Sequence, residues 1–375
     1  MRLETKASIL TNALRLLNGV VERRNTIPIL GCVKIDGRTV VGTDLDIEIE
    51  IKLPASVAQG TICIDHRSLF VLLRNVPGDD DIRIEGDGST ATVTFSTGRY
   101  DLPSLPVADW PTLTTEGLVD TVLDGEAFKR SLAFVSPFIS TEETRYYLNG
   151  VCLDGSVAVT TDGHRLACHP LGADLSAFDR PIIPRKAVRL LQSIPAATQV
   201  SIGRNRLAAT LDGARLVTKL IDGTFPDWRR AVPVSSDKAS RLTISPRGVR
   251  RTMSRVTAVM GRFRAYVTIA FDGHGMAVVG EHGDGAIIRE FVSGSSLVGK
   301  GQIIAFQSNY LRDLLNVFID DDQVGLTIVD AGSPIRIDAG KERFAILMPA
   351  RASSEQLASE ALAEWATAQS IGRAA

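Results

Sequence analysis

Three short anchors in this chain recur at a single spacing. Thr43-Asp44 in "VVGTDLDIEIEI" returns as Thr161-Asp162 in "AVTTDGHRLA", 118 residues on. Leu72-Leu73 in "DHRSLFVLLRNVP" returns as Leu190-Leu191, and Asp109-Trp110 in "LPVADWP" as Asp227-Trp228, at the same offset of 118. A fixed long period is the mark of one supersecondary unit copied along the chain. A third, more diverged copy carries Leu314-Leu315, 124 residues past Leu190-Leu191. The chain is therefore expected to fold as three similar domains, 1–117, 118–235 and 236–351, with linkers near 114–120 and 233–241 and an extension over 352–375.

Each copy reads as a helix, two or more strands, a second helix and further strands. "SILTNALRLLNG" places Ile9, Ala13, Leu16 and Leu17 on one helical face and stops at Gly19. "DIEIEIKL" and "ATVTFS" alternate with period two, as half-buried antiparallel strands do. The expected class is α+β, and the expected helices are 7–18, 66–75, 126–135, 184–194, 245–260 and 307–318.

Net charge is −1, which on its face argues against a polyanionic partner, but the average hides a segregation. The six helices hold 13 Lys and Arg against 2 Asp and Glu, so the strands and loops are acidic. Helices facing one way would form a positive surface able to hold nucleic acid without reading its sequence. In the fifth helix, Val249, Met253, Val256 and Met260 form a buried stripe and leave Arg250, Arg251 and Arg255 exposed.

At 375 residues and 44% apolar composition the chain can bury several cores. No apolar run is long enough to span a bilayer, and the N-terminus lacks the features of a signal peptide. Cys32, Cys63, Cys152 and Cys168 lie far apart with no C-x-x-C, which points to reduced thiols in the cytoplasm and not to zinc or disulfides.

The stretch "TDGHRL" sets His164 between Asp162 and Arg165 and looks catalytic. The first copy carries "TDLDI" there, with no histidine, and no serine or cysteine nucleophile stands out, so no enzyme is expected. "GSSLVGKG" nearly matches a phosphate-binding loop. It has Gly301 where magnesium needs a hydroxyl, and a strand-like "QIIAF" where a helix should start. No cofactor and no metal are expected.

"NTIPILG", "GTDLDIEI", "TRYYLNGV", "TDGHRLA", "IIPRKAV", "DGTFPDWRR" and the late "MPAR" occur in an order and spacing that resembles the bacterial DNA polymerase III β subunits, the sliding clamps. The resemblance runs from near residue 1 to about 351. It implies three clamp domains per chain, with helices inside and sheets outside. Two chains then close head-to-tail into a ring on duplex DNA and tether the replicative polymerase. It further implies an ATP-driven loader and other polymerases and repair proteins that carry clamp-binding peptides.

Carried over position by position, the peptide cleft is Leu148, Thr161, Gly163, His164, Arg165, Leu166, Pro226, Arg230, Ala231, Ile346, Met348, Pro349, Ala350 and Arg351. It would be apolar with a cationic rim. Ala231 and Ala350 stand where the family commonly carries larger aliphatic residues, which implies a wider cleft. The DNA contacts implied are Arg24, Arg74, Tyr146, Tyr147, Arg185 and Lys186, to which the helix charge adds Arg250, Arg251 and Arg255. Ring closure is expected to pair a strand holding Tyr100 and Leu102 with one around Ile287 and Ile288.

Beyond Arg351, Ser353 and Gln356 can cap a helix with Leu357, Ala361 and Trp365 on one face. Trp365 or Leu357 could fold back over the cleft and compete with peptides. An enzyme using His164, and a diverged clamp paralogue with specialised partners or inhibitor resistance, are the alternative readings.

Overall fold

Alternation sets the strands. In the computed structural model "IEIEIK" is the strand Ile47–Lys52, with Ile47, Ile49 and Ile51 buried on one face. The structure describes residues 1–22, 26–111, 113–233, 239–260, 266–281, 286–292, 294–340, 342–351 and 354–373. Its helices are α1 (Ala7–Leu17), α2 (His66–Leu73), α3 (Gly125–Val135), α4 (Arg185–Ser193), α5 (Pro246–Met260), α6 (Ser308–Val317) and α7 (Glu355–Arg373). The first six fall where periodicity puts them. Ser353 lies outside the described residues, and α7 is entered through Ser354, whose carbonyl accepts from Ala358 N at 3.0 Å. Among the described residues no helix is long and apolar enough to cross a membrane.

Two compact units form, and they divide the middle repeat between them. The first, Met1–Arg130 with Leu153–Ser156 and Gly172–Asp222, contains a 13-stranded sheet. Within it the strand Ala214–Lys219 of the second copy pairs antiparallel with Ile47–Lys52 of the first, Leu216 opposite Ile49. One sheet thus runs through the boundary between copies.

The second unit, Ser131–Cys152 with Val157–Leu171 and Gly223–Ala375, repeats this device. Arg165–Pro170 of the second copy pairs with Phe344–Leu347 of the third, Leu166 opposite Ile346. The run continues through Ile335–Asp338, Val324–Ile328, Ser240–Ile244 and Ser296–Val298. A separate four-stranded sheet orders Ile287–Val292, Gly275–Glu281, Tyr266–Asp272 and Gln302–Gln307. Gln302–Gln307 is the "QIIAF" segment, a strand where a phosphate-binding loop would need a helix to start. The third-copy core lies under these sheets, where Leu242, Val249, Ile269, Leu311, Leu315 and Ile337 surround an apolar void of about 20 Å³.

Several strands keep an open edge, two of them in the regions expected for ring closure. Gly98–Leu105 pairs along its length with Thr90–Phe95, but on its other side only Leu105 and Ser104 meet a partner, Cys63 and Ile64. Ile287–Val292 ends its sheet, paired on one side with Gly275–Glu281. Tyr100 on the first and Ile287 on the second are 48% and 45% exposed.

All four cysteines are buried thiols outside any disulfide. Burial pushes the Cys32 thiol up to about 12 and the Cys63 thiol up to about 11. Alkylation of the native protein at pH 8 should therefore spare both until denaturant is added. Modification at the rate of a free thiol would contradict this. Gly125 permits a close approach: a Cβ there would lie 1.8 Å from the Ala197 carbonyl oxygen. Gly125→Ala should cost about 1–3 kcal/mol by overpacking, read as a lower urea midpoint with the slope preserved.

Candidate functional site

The Asp-Gly-His-Arg cluster is a turn. Asp162 Oδ1 accepts from the backbone N–H of His164 at 2.9 Å and of Arg165 at 2.8 Å. Thr161 Oγ1 donates to the Arg165 carbonyl at 2.7 Å and accepts from Gly163 N at 3.1 Å. The first copy has the same bonds. Asp44 Oδ1 accepts from Asp46 N at 3.0 Å and Ile47 N at 2.7 Å, and Thr43 Oγ1 donates to the Ile47 carbonyl at 3.0 Å. The third turn residue is left-handed in both, with φ +89° at Gly163 and +76° at Leu45. The Thr-Asp pair recurs because an Asx-type turn needs those acceptors there, not because a base must be oriented. The His164 ring stacks on Tyr310 at 5.8 Å, and among the described residues no hydrogen bond reaches its imidazole.

Arg165 belongs to the interior. Its side chain is 8% exposed; Nε donates to Asp162 Oδ2 at 3.0 Å, Nη1 to Asp313 Oδ2 at 3.1 Å and Nη2 to the Pro137 carbonyl at 3.3 Å. The guanidinium lies 4.2 Å from the Tyr310 ring centroid and 5.2 Å from that of Phe138. The expectation of a cationic rim is thus corrected at this residue, whose charge is satisfied by two carboxylates. Arg230 and Arg351 are exposed, as a rim requires.

The remaining residues expected for the cleft lie in the second unit. Leu148, Leu166 and Ile346 are each 3% exposed and belong to the core. Met348 donates its N–H to the His164 carbonyl at 2.9 Å and leaves a side chain 41% exposed. Ala350 N donates to the Ala305 carbonyl at 2.8 Å. Beside it a surface hollow of about 450 Å³ is bordered by Ile303, Ala305, Pro349, Ala350, Arg351 and Glu355. Pro226, Arg230 and Ala231 are exposed around Trp228, which is buried and packs 6.3 Å from the Phe344 ring. That ring contact ties the "FPDWRRA" segment to the seam strand.

Sequence reasoning missed Tyr310, Asp313 and Phe138. Asp313 is the one acid on α6, and that isolation is the signal that could have found it.

The expected DNA residues fare unevenly. Arg74, Tyr146, Arg250 and Arg251 are exposed, Tyr147 and Arg185 half-buried, and Arg24 lies outside the described residues. Val249, Met253, Val256 and Met260 are buried as the α5 stripe demands. Lys186, however, donates to Asp44 Oδ2 at 2.5 Å and to the Val20 carbonyl at 3.3 Å. Arg255 forms a forked pair with Glu290. Both side chains stay exposed, Lys186 at 43% and Arg255 at 60%, while each is paired with a carboxylate.

Glu355 at the start of the extension borders the hollow beside Ala350, but Trp365 and Leu357 lie against the four-stranded sheet. Trp365 stacks on Phe291 with centroids 4.6 Å apart and planes at 12°. Leu357, Ala358, Ala361 and Leu362 pack with Ala270, Ala277, Val279 and Ile303. An amphipathic helix finds the nearest apolar face, here the four-stranded sheet.

Duplicated α+β units whose sheets run across the boundaries between copies are the class that the fold defines. Residues 1–114 match the model of the DNA polymerase III beta subunit N-terminal domain, and 122–227 that of its central domain. The beta sliding clamp of Pseudomonas putida is 30% identical over 375 residues, covering 94% of this chain and 100% of that protein. That of Escherichia coli is 27% identical with the same coverage. Among solved structures, the Caulobacter crescentus DNA polymerase sliding clamp superposes with a TM-score of 0.83 at 29% identity, over 94% of this chain and 100% of that one. The Pseudomonas aeruginosa DNA polymerase III subunit beta gives 0.85 at 26%, with equal coverage. The chain belongs to the β sliding clamp family, the non-catalytic processivity factors of DNA polymerase III, with its three-domain α+β fold. Membership implies DNA and DNA polymerase as partners.

Removing Arg165 leaves Asp162 and Asp313 facing each other across the turn. Arg165→Ala should cost about 3 kcal/mol, the low end for one-sided loss of a buried pair. His164→Ala should leave the melting temperature within a degree or so, since the ring only stacks at the surface. Equal destabilisation by both variants would contradict the division drawn here.

Proposed function

We propose that two copies of this chain close head-to-tail into a ring around duplex DNA in the cytoplasm, and that partners are held by a peptide seated at the seam. The domains of the ring would run 1–117, 118–235 and 236–351. The observation that carries closure is the pair of open strand edges. Gly98–Leu105 and Ile287–Val292 each present unpaired backbone and one exposed large apolar side chain, and joining them removes two edges per interface.

The cleft reading rests on Met348, exposed beside the buried floor of Leu148, Leu166 and Ile346. A flexible thioether over an apolar floor suits an aliphatic-aromatic anchor of the Gln-Leu-x-Leu-Phe type. Replicative polymerase, other polymerases, repair proteins and an ATP-driven loader would compete for it. The half-exposed Ala350 and exposed Ala231 leave room for a bulkier anchor.

DNA would be held by Arg24, Arg74, Tyr146, Tyr147, Arg185, Arg250 and Arg251, as many weak phosphate contacts that let the duplex slide. Lys186 and Arg255 contribute less, because their carboxylate partners must first be displaced.

Protein loaded on a nicked circular plasmid should survive a salt wash and be lost after the plasmid is linearised. Equal loss from both forms would overturn encirclement. Met348→Glu should weaken a Gln-Leu-Asp-Leu-Phe peptide by about tenfold or more, the scale of a lost anchor contact, with the melting temperature unchanged. Unaltered affinity would remove the cleft from this site.

A further inference from the structure

Relatives are matched along their whole length by 94% of this chain. The part left over is the size of the segment 352–375, which holds α7. We infer that α7 is a brace for the edge strand Ile287–Val292, and so a built-in reinforcement of the contact with a second copy of this chain. The inference rests on the closure reading above.

The strand is gripped from both faces. Side chains alternate along it, so Arg289 and Phe291 share one face and Glu290 lies on the other. Trp365 of α7 stacks flat on Phe291 at 4.6 Å, and Glu360 approaches Arg289 at 3.9 Å. From the opposite face Arg255 of α5 forks onto Glu290, while Val292 is buried.

The brace is itself anchored. Ser354 is buried and its hydroxyl donates to Glu281 Oε2 at 3.3 Å, at the end of the neighbouring strand. Ala270 and Ala277 on the sheet meet Ala358 and Ala361 on the helix, all at most 1% exposed. Small residues on both sides let the helix lie close, and it touches all four strands of the sheet.

An edge strand that must accept a partner gains when its backbone is ordered beforehand, because the ordering entropy is then not charged to association. A helix fixing the outward residues of a terminal strand does this without occupying its free hydrogen-bonding edge. Ile287, 45% exposed, remains available for contact.

The test uses the full chain, a 1–351 truncation, Trp365→Ala, and Ile287→Lys as an edge block. Sedimentation velocity across a dilution series gives the dimer dissociation constant. Amide exchange of residues 287–292 reports the strand, and Gln-Leu-Asp-Leu-Phe binding controls for the cleft. The brace predicts that truncation and Trp365→Ala each raise the dissociation constant by about tenfold, or 1.4 kcal/mol. Exchange at 287–292 should quicken, with peptide affinity unchanged. If Ile287→Lys weakens the dimer while truncation and Trp365→Ala leave it within twofold, the brace is overturned and the edge reading stands. If Ile287→Lys has no effect, the edge reading falls and takes the brace with it. Should the truncation precipitate, Trp365→Ala in the full chain decides.

Discussion

A strand at the end of a domain leaves one row of backbone groups without partners. In this chain Ile47–Lys52 and Arg165–Pro170 each give that row to the next copy, through five and four paired positions. Everything else follows from the two seams. They make successive domains share a sheet and bring the Thr-Asp turn of one copy beside the last strand of the next. Gly98–Leu105 and Ile287–Val292 are among the edges left open.

The same turn serves two ends. At the first seam Asp44 caps the turn and its second oxygen holds Lys186 of α4. At the second, Asp162 caps the turn and holds Arg165, which lies against Tyr310 of α6. Lys186 and Tyr310 stand four residues before the duplicated Leu-Leu pair on their helices. A lysine drawn onto the turn fills the first seam with a salt link. An aromatic ring at the second supplies a surface on which His164 can lie. One framework, duplicated, differs in what it presents through a few substitutions.

Much of this was legible in the sequence because it is local. Helix faces follow a period near 3.6, and α5 buries the stripe that its methionines and valines mark out. The recurring Thr-Asp pair, with no histidine in the first copy, was enough to doubt catalysis at His164. Pairing across a seam is not local: Leu166 meets Ile346 across 180 residues, and no periodicity encodes the choice. For the same reason Asp313, which fixes Arg165, was invisible, and a rim cation was expected where a buried one lies. Charge counts also fail to see partners. Arg255 and Lys186 add to the positive total of their helices while Glu290 and Asp44 neutralise them in space. The face of α7 was readable, but not the sheet that it would choose.

Because a common sheet fastens the first copy to the second, the peptide joining them has little to hold. The segment near 114–120 is held by the two-residue pairing of Val119 and Asp120 with Ile202 and Ser201 and by the Ser201 hydroxyl, which donates to Asp120 Oδ1 at 2.6 Å. Mechanical continuity passes through Leu216 and Ile49, not along the covalent thread. Nicking or lengthening that thread would therefore leave the neighbours fastened, which makes it a natural point for grafting a tag or permuting the termini.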